Sequence, residues 1–202
     1  MKNTVVVVAH PDPDSLSHHV ARELAASLTA ANSPNELVDL AAEGFDPRWT
    51  MSDRAFYHGT AAVPAEIAAE QNRLDGASDV VLVFPVYWWS MPALLKGWID
   101  RVFVNGWAFE AQPDGSLLTK LGGMTIHLVL VAAGDPDAYK RHGYDVSVTT
   151  QIEHGIIDFC GAKRGATQYL WETESRTPEA IGADVQTLAD AIVRKDPAIS
   201  LA

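Results

Sequence analysis

Residues 79–103 read DVVLVFPVYWWSMPALLKGWIDRVF. Val80 to Phe84 offer no polar side chain to either side, as a strand inside a parallel sheet covered on both faces requires. Leu94, Leu95, Trp98, Ile99, Val102 and Phe103 then recur at helical spacing and mark one apolar face. Pro92 suits the first turn of that helix, where no amide donor is needed. Between strand and helix lie three consecutive aromatic residues, Tyr87, Trp88 and Trp89, pinned between Pro85 and Pro92. The stretch is a strand–loop–helix unit whose loop carries more aromatic surface than a connection needs.

The same alternation runs outward along the chain. Val5 to Ala9 is a buried strand, followed by a helix with Leu16, Val20, Leu24 and Leu28 in one stripe. Glu36 to Leu40 reads as a short second strand, Asp79 to Phe84 as the third, Met124 to Ala133 as the fourth and Gln168 to Trp171 as a short fifth. Val146 to Phe159 reads as a helix ended by Gly161. Thr177-Pro178-Glu179 caps a last helix carrying Ile181, Val185, Leu188 and Ile192. This pattern predicts right-handed βαβ units in an α/β, three-layer, doubly wound parallel sheet. Two stretches, 42–63 and 104–120, fit neither period and read as long functional loops. Ligands of such sheets bind beyond the carboxyl ends of the strands, which directs attention to residues 10–17, 85–89 and 134–144.

Composition narrows the class of function. A chain of 202 residues with 48% hydrophobic content is expected to form one domain over residues 1–202. Its net charge of −11 argues against nucleic acid or an anionic membrane as the main partner. The single cysteine, Cys160, excludes an internal disulfide and reads as core packing. No apolar run is long enough for an integral membrane segment and the N-terminal one is too short for a secretory signal, so a cytoplasmic protein is expected.

The loop after the first strand, His10-Pro11-Asp12-Pro13-Asp14-Ser15-Leu16-Ser17, admits two chemistries. Ala-His-Pro-Asp resembles the start of the zinc-dependent deacetylases, but Pro13 stands where their second metal-binding carboxylate belongs. Catalytic zinc needs about three protein ligands, and adjacent His18 and His19 diverge on a helix. The metal reading falls. A phosphate cradle needs amides at a helix start, and those of Ser15, Leu16 and Ser17 are available, with two hydroxyls. Asp12 and Asp14 must then turn outward or act as caps. Three aromatics in a row cannot all face one core, so Tyr87, Trp88 and Trp89 are read as walling a flat aromatic ligand at the same sheet edge.

Residues 84–109, FPVYWWSMPALLKGWIDRVFVNGWAF, together with His10, Pro11 and Ser15 in the spacing His-Pro-x-x-x-Ser, resemble the NAD(P)H:quinone oxidoreductase family, the DT-diaphorase-like flavoproteins. The resemblance covers roughly Val5 to Cys160. It implies a flavodoxin-like five-stranded sheet in the order 2-1-3-4-5. It also implies a flavin, FAD or else FMN, that accepts hydride from NADPH or NADH and passes two electrons to a quinone or similar small-molecule acceptor. The flavin phosphates would fall on His10, Ser15, Leu16 and Ser17, and the isoalloxazine on Pro85, Val86, Tyr87, Trp88 and Trp89. The family's third loop, Thr-Thr-Gly-Gly, reads here Ala132-Ala133-Gly134-Asp135: both hydroxyls are gone, and Asp135 brings a charge. The family's active-site tyrosine and histidine match Tyr139 and His142, at a shorter spacing. Two other readings share these motifs, an azo or nitro reductase and a regulatory flavoprotein subunit of a membrane transport system. Trp88, Trp89, Trp98, Trp107 and Phe109 amount to more apolar surface than one subunit should expose, so a homodimer with the active site at its interface is expected.

Overall fold

The computed structural model describes residues 3–194 and 200–201. In chain order the elements are β1 (Asn3–Val8), α1 (Leu16–Ala30), β2 (Asn35–Asp39), α2 (Met51–Tyr57), α3 (Ala65–Asp75), β3 (Ala77–Pro85), α4 (Ala93–Val102), β4 (Phe109–Ala111) and β5 (Leu117–Thr119). There follow β6 (Thr125–Val131), α5 (Pro136–His142), α6 (Tyr144–Val148) with a π-helical continuation over Thr149–Asp158, β7 (Lys163–Leu170), α7 (Pro178–Arg194) and β8 (Ser200–Leu201). The central sheet is parallel in the order β2-β1-β3-β6-β7, which is 2-1-3-4-5 for the five strands read from the sequence, and the two residues of β8 extend it beside β7.

The apolar strands bury both faces. Odd-numbered Val5 and Val7, with Val80, Leu82 and Phe84, pack under Leu95, Trp98 and Ile99 of α4. Val6, Val8, Val81 and Val83 face the other way, against Leu24 and Leu28 of α1 and Val185, Leu188 and Ile192 of α7. Register aligns Val8 with Asp39 on one side and with Val83 on the other, and Pro85 with Val131. The carboxyl ends of β1, β3 and β6 therefore lie side by side. No helix of the described residues is long and apolar enough to cross a membrane.

Several elements differ from the sequence reading. α3 carries no apolar stripe because half its buried face is polar: Ile67 and Leu74 share it with Glu70 and Gln71. Glu70 takes the indole N–H of Trp98 at 2.9 Å and Arg73 at 2.7 Å, and Gln71 donates to the Val102 carbonyl. Trp98 is thus wholly buried, so it adds nothing to an exposed patch. The stretch 42–63 is not a free loop. It contains α2, closed by a reciprocal Thr50–Asp53 cap, and buried Arg101 clamps it by donating to Asp53 and to the Asp46 carbonyl while also donating to Glu66 of α3. Gly97 lets α4 approach this stretch, since a Cβ there would lie 2.2 Å from the Pro47 carbonyl oxygen. The stretch 104–120 folds back as the antiparallel hairpin β4–β5, pairing Phe109 with Thr119. The helix read over 146–159 begins earlier, as α5 and α6 broken at Gly143, whose φ of 71° ends α5. Cys160 is buried and its thiol is pushed up to about 11 by desolvation, as core packing requires.

Candidate functional site

The loop after β1 is shaped by its own polar groups. His10 Nδ1 lies 3.1 Å from the Asp12 amide and 3.3 Å from the Asp12 carbonyl oxygen, which ties the ring to its own turn. Asp12 Oδ1 accepts the Asp14 amide at 2.9 Å, and both aspartates stay exposed, turned to solvent. Ser15 is the N-cap of α1, with backbone φ −64°, ψ 156°, and its Oγ accepts the His18 amide. Its own amide is spent on the Asp12 carbonyl at 3.1 Å. The cradle read from the sequence thus shrinks to the first-turn amides of Leu16 and Ser17, which have no acceptor within the helix. Ser17 itself is buried, so its hydroxyl is not at the loop surface as expected.

A chain of contacts the sequence reading missed lies beneath this loop. The Ser15 hydroxyl meets Nδ1 of buried His18 at 3.0 Å, and His18 Nε2 meets Asp39 Oδ2 at 2.7 Å. Asp39 Oδ1 also takes the amides of Ala41 and Ala42. Burial opposes the Asp39 charge, but the Ala42 amide, His18 and the Ala41 amide outweigh it, and the carboxyl titrates below its ordinary range. Ser15 ahead of the Leu16 stripe was a legible N-cap, whereas nothing local pointed to the His18 ring as its partner, and Asp39 is brought in only by the β1–β2 pairing.

The aromatic loop is a two-residue hairpin. Tyr87 and Ser90 exchange both backbone hydrogen bonds, at 3.0 and 3.1 Å, with Trp88 at φ 48° and Trp89 at φ 61° between them. Two positive φ values make a type I′ geometry that normally selects Asn and Gly. Here two tryptophans bear the left-handed strain, a feature that clusters at ligand sites. Val86 donates to the Val131 carbonyl and Tyr87 to Ser90, so the amides left for a ligand's polar rim are those of Trp88 and Trp89. Pro85 and Val86 are half-buried at the strand end, and Trp88 is 91% exposed. Trp89 instead stacks on Tyr144 at 3.5 Å and 6° and meets Tyr139 edge-on at 5.6 Å.

The third loop joins this wall. Ala132 is buried and its amide bonds the Leu170 carbonyl, so the amides available are those from Ala133 on. Asp135 brings no free charge toward a ligand: it is the N-cap of α5, its Oδ1 accepting the Ala138 amide at 2.8 Å. A Cβ at Gly134 would lie 3.1 Å from the Tyr139 ring, so a larger residue there would make the ring give by a few tenths of an ångström. Tyr139 and His142 do not form a matched pair at one surface. Tyr139 is buried among Trp89, Tyr144 and the stacked Tyr169 and Trp171, and desolvation raises its phenol. His142 is exposed and lies on the outer face of Tyr144, ring centroids 5.2 Å apart. Tyr144, at the end of the 134–144 stretch but given no role in the sequence reading, is the ring that links His142 to Trp89.

Comparison with known proteins places the whole chain among relatives. A family model described as flavodoxin-like fold matches residues 2–193. The ribosyldihydronicotinamide dehydrogenase [quinone] of Mus musculus is 30% identical over 189 residues, covering 83% of this chain and 80% of that protein. The same-named protein of Pongo abelii is 29% identical over 199 residues, covering 88% and 85%. Among solved structures, a putative quinone reductase from Klebsiella pneumoniae superposes with a TM-score of 0.82 at 25% identity, covering 95% of this chain and 84% of that one.

Proposed function

Since the chain belongs to the flavodoxin-like fold family shared with the ribosyldihydronicotinamide dehydrogenases [quinone], we propose that it is a flavin-dependent NAD(P)H:quinone oxidoreductase. The observation that carries the proposal is the strained Trp88-Trp89 hairpin, locked onto Tyr144 and Tyr139 and set beside a helix N-terminus.

The residues suit a flavin. A flat ring system needs an apolar wall with amides at its rim, which Trp88, Trp89 and the amides from Ala133 on supply. The phosphate end needs donors and a positive helix end, which His10, Ser15 and the amides of Leu16 and Ser17 supply. Asp12, Asp14 and Asp135, the nearby anions, are each engaged by backbone amides of their own turn or turned to solvent. Bound there, the flavin supplies two-electron hydride chemistry that no side chain offers. The chain's own contribution is orientation and electrostatics: loop amides for developing negative charge, with Tyr139 behind the wall as a further donor, and aromatic walls that exclude water. FAD is the favoured form, with FMN second, and nicotinamide and acceptor share one walled surface in turn.

The chain is further proposed to act as a homodimer with each site completed by the partner. Exposed Trp49, Tyr57 and Phe159, with Phe103 and Phe109, line an apolar pocket of about 210 Å³ outside the cofactor loops, a surface that a second copy would cover. One experiment tests the function. The chromophore released from purified protein is identified by chromatography, and NAD(P)H oxidation is followed at several quinone concentrations. FAD or FMN with parallel double-reciprocal lines is expected; a colourless protein that no flavin activates overturns the reading, and intersecting lines overturn the shared surface.

A further inference from the structure

We propose that His18, held by Asp39, is a proton-gated positioning residue for the phosphate end of the flavin: protonated, it frees the Ser15 hydroxyl to donate outward, and neutral, it holds that hydrogen inward. The inference rests on the flavin reading above and deepens it.

The argument is one of hydrogen counting. Asp39 receives two backbone amides on Oδ1 and His18 on Oδ2. A carboxylate so bonded is an acceptor only, so the hydrogen in the 2.7 Å contact belongs to His18 Nε2. In the neutral ring Nδ1 is then an acceptor, and the hydrogen in its 3.0 Å contact with Ser15 must come from the serine. Ser15 Oγ meanwhile accepts the His18 amide. A phosphate reaching the start of α1 in this state meets a lone pair. When Nδ1 takes a proton the direction reverses. Nδ1–H donates to Ser15 Oγ, the hydroxyl hydrogen turns to the loop surface, and a cation stands behind it. Charge-assisted donation to phosphate is the stronger kind.

Other charged groups face His18 from each side. The Asp39 carboxylate comes from the end of β2. The His10 ring lies edge-on at 6.3 Å from the loop, whose Asp12 and Asp14 are turned to solvent. α1 itself carries His19, paired with Glu23 at 3.4 Å, and Arg22, which donates to the Pro13 carbonyl at 3.0 Å. His10 Nδ1 is already engaged by the Asp12 amide, so the imidazole bonded to Ser15 is that of His18. A phosphate that takes the outward-turned Ser15 hydrogen binds together with a proton, and by linkage the flavin binds more tightly as pH falls.

The test is calorimetric titration of the flavin-free chain with FAD, whose pyrophosphate has no ionisation of its own near neutrality, between about pH 6 and 9 in buffers of different ionisation heat. Uptake approaching about one proton per FAD is expected, with affinity falling by up to about tenfold per pH unit. His18→Gln, which still offers Asp39 a donor, should abolish the uptake. Should that variant fail to fold, Ser15→Ala should weaken FAD roughly ten- to a hundredfold at the acid end and converge on wild type at the alkaline end. Riboflavin, which has no phosphate, should bind without proton uptake. FAD bound with no uptake, unaltered uptake in His18→Gln, or equal uptake with riboflavin overturns the gating and leaves the flavin site standing. Failure of the wild-type chain to bind either flavin overturns the site itself, and the gating with it.

Discussion

Trp88 and Trp89 occupy the same strained turn, yet replacing them by glycine should have opposite consequences. Both sit at positive φ, 48° and 61°, where an L-residue costs roughly 1–2 kcal/mol that glycine avoids. Glycine in turn loses about 0.5–1 kcal/mol more backbone entropy on folding. These backbone terms are common to the two variants and cancel in their comparison. Packing does not cancel. Trp88 is 91% exposed, so its ring hides about 20 Å² of the 150–250 Å² a buried aromatic covers, worth about 0.5 kcal/mol. Trp89 is 37% exposed; it hides about 150 Å² against Tyr144 and Tyr139, worth about 4 kcal/mol at 25 cal/mol per Å². Trp88→Gly should therefore be neutral or slightly stabilising, and Trp89→Gly should be about 3 kcal/mol less stable. For a chain of this length that gap is roughly 6–12 °C in melting temperature. Flavin-free proteins, melted at one low concentration, measure it. Melting points within about 3 °C of each other, or a Trp88→Gly variant that is the less stable of the two, would refute the assignment of Trp89 as the packed ring and Trp88 as the free one.

Saturating FAD or FMN, at about a hundred times its dissociation constant, should stabilise the fold by roughly 2.7 kcal/mol, and a scan showing no shift with either would remove the cofactor proposal. Tyr139→Phe should keep flavin bound while slowing NAD(P)H-dependent turnover by less than the ~10²–10³-fold typical of a lone donor, because loop amides remain; wild-type turnover would take Tyr139 out of the chemistry. Burial, aided by the neighbouring Tyr139, Glu153 and Asp145, raises the Tyr169 phenol. The folded group then holds its proton above the unfolded value of about 10, so its stability contribution is intact below that pH and lost above it. Urea melts should show stability falling as pH rises past about 10, with a shallower fall in Tyr169→Phe; equal slopes would argue against the raised phenol. Sedimentation at micromolar concentration should find a dimer whose interface buries more than ~1,000 Å², and Trp49→Glu should dissociate it; a fully active monomer would contradict the shared site.

Much of this architecture is local enough to read from residue order. Val5–Val8 and Val80–Phe84 are apolar on both faces because both faces are covered, and that pattern alone places them in a doubly wound sheet. The Trp88-Trp89 pair between Pro85 and Pro92 reads as a loop rather than core because consecutive aromatics have no single-face period, and the structure places it in a tight hairpin after β3. Other features were settled by contacts between residues far apart in the chain. α3 escaped the pattern because Glu70 and Gln71 are buried by virtue of Trp98 and the Val102 carbonyl, partners about thirty residues away. Nothing in residue order pairs Arg101 with a partner; the fold sets it against Asp53, Glu66 and the Asp46 carbonyl. The burial of Tyr139 and the exposure of His142 depend on how α5 and α6 break at Gly143 and on the rings that β7 brings alongside. The Ser15–His18–Asp39 chain exists only because β2 pairs with β1 in a register that opposes Val8 to Asp39. Periodicity reports which face of an element is covered; which side chain covers it, and which polar group therefore loses its water, is decided only when the elements meet.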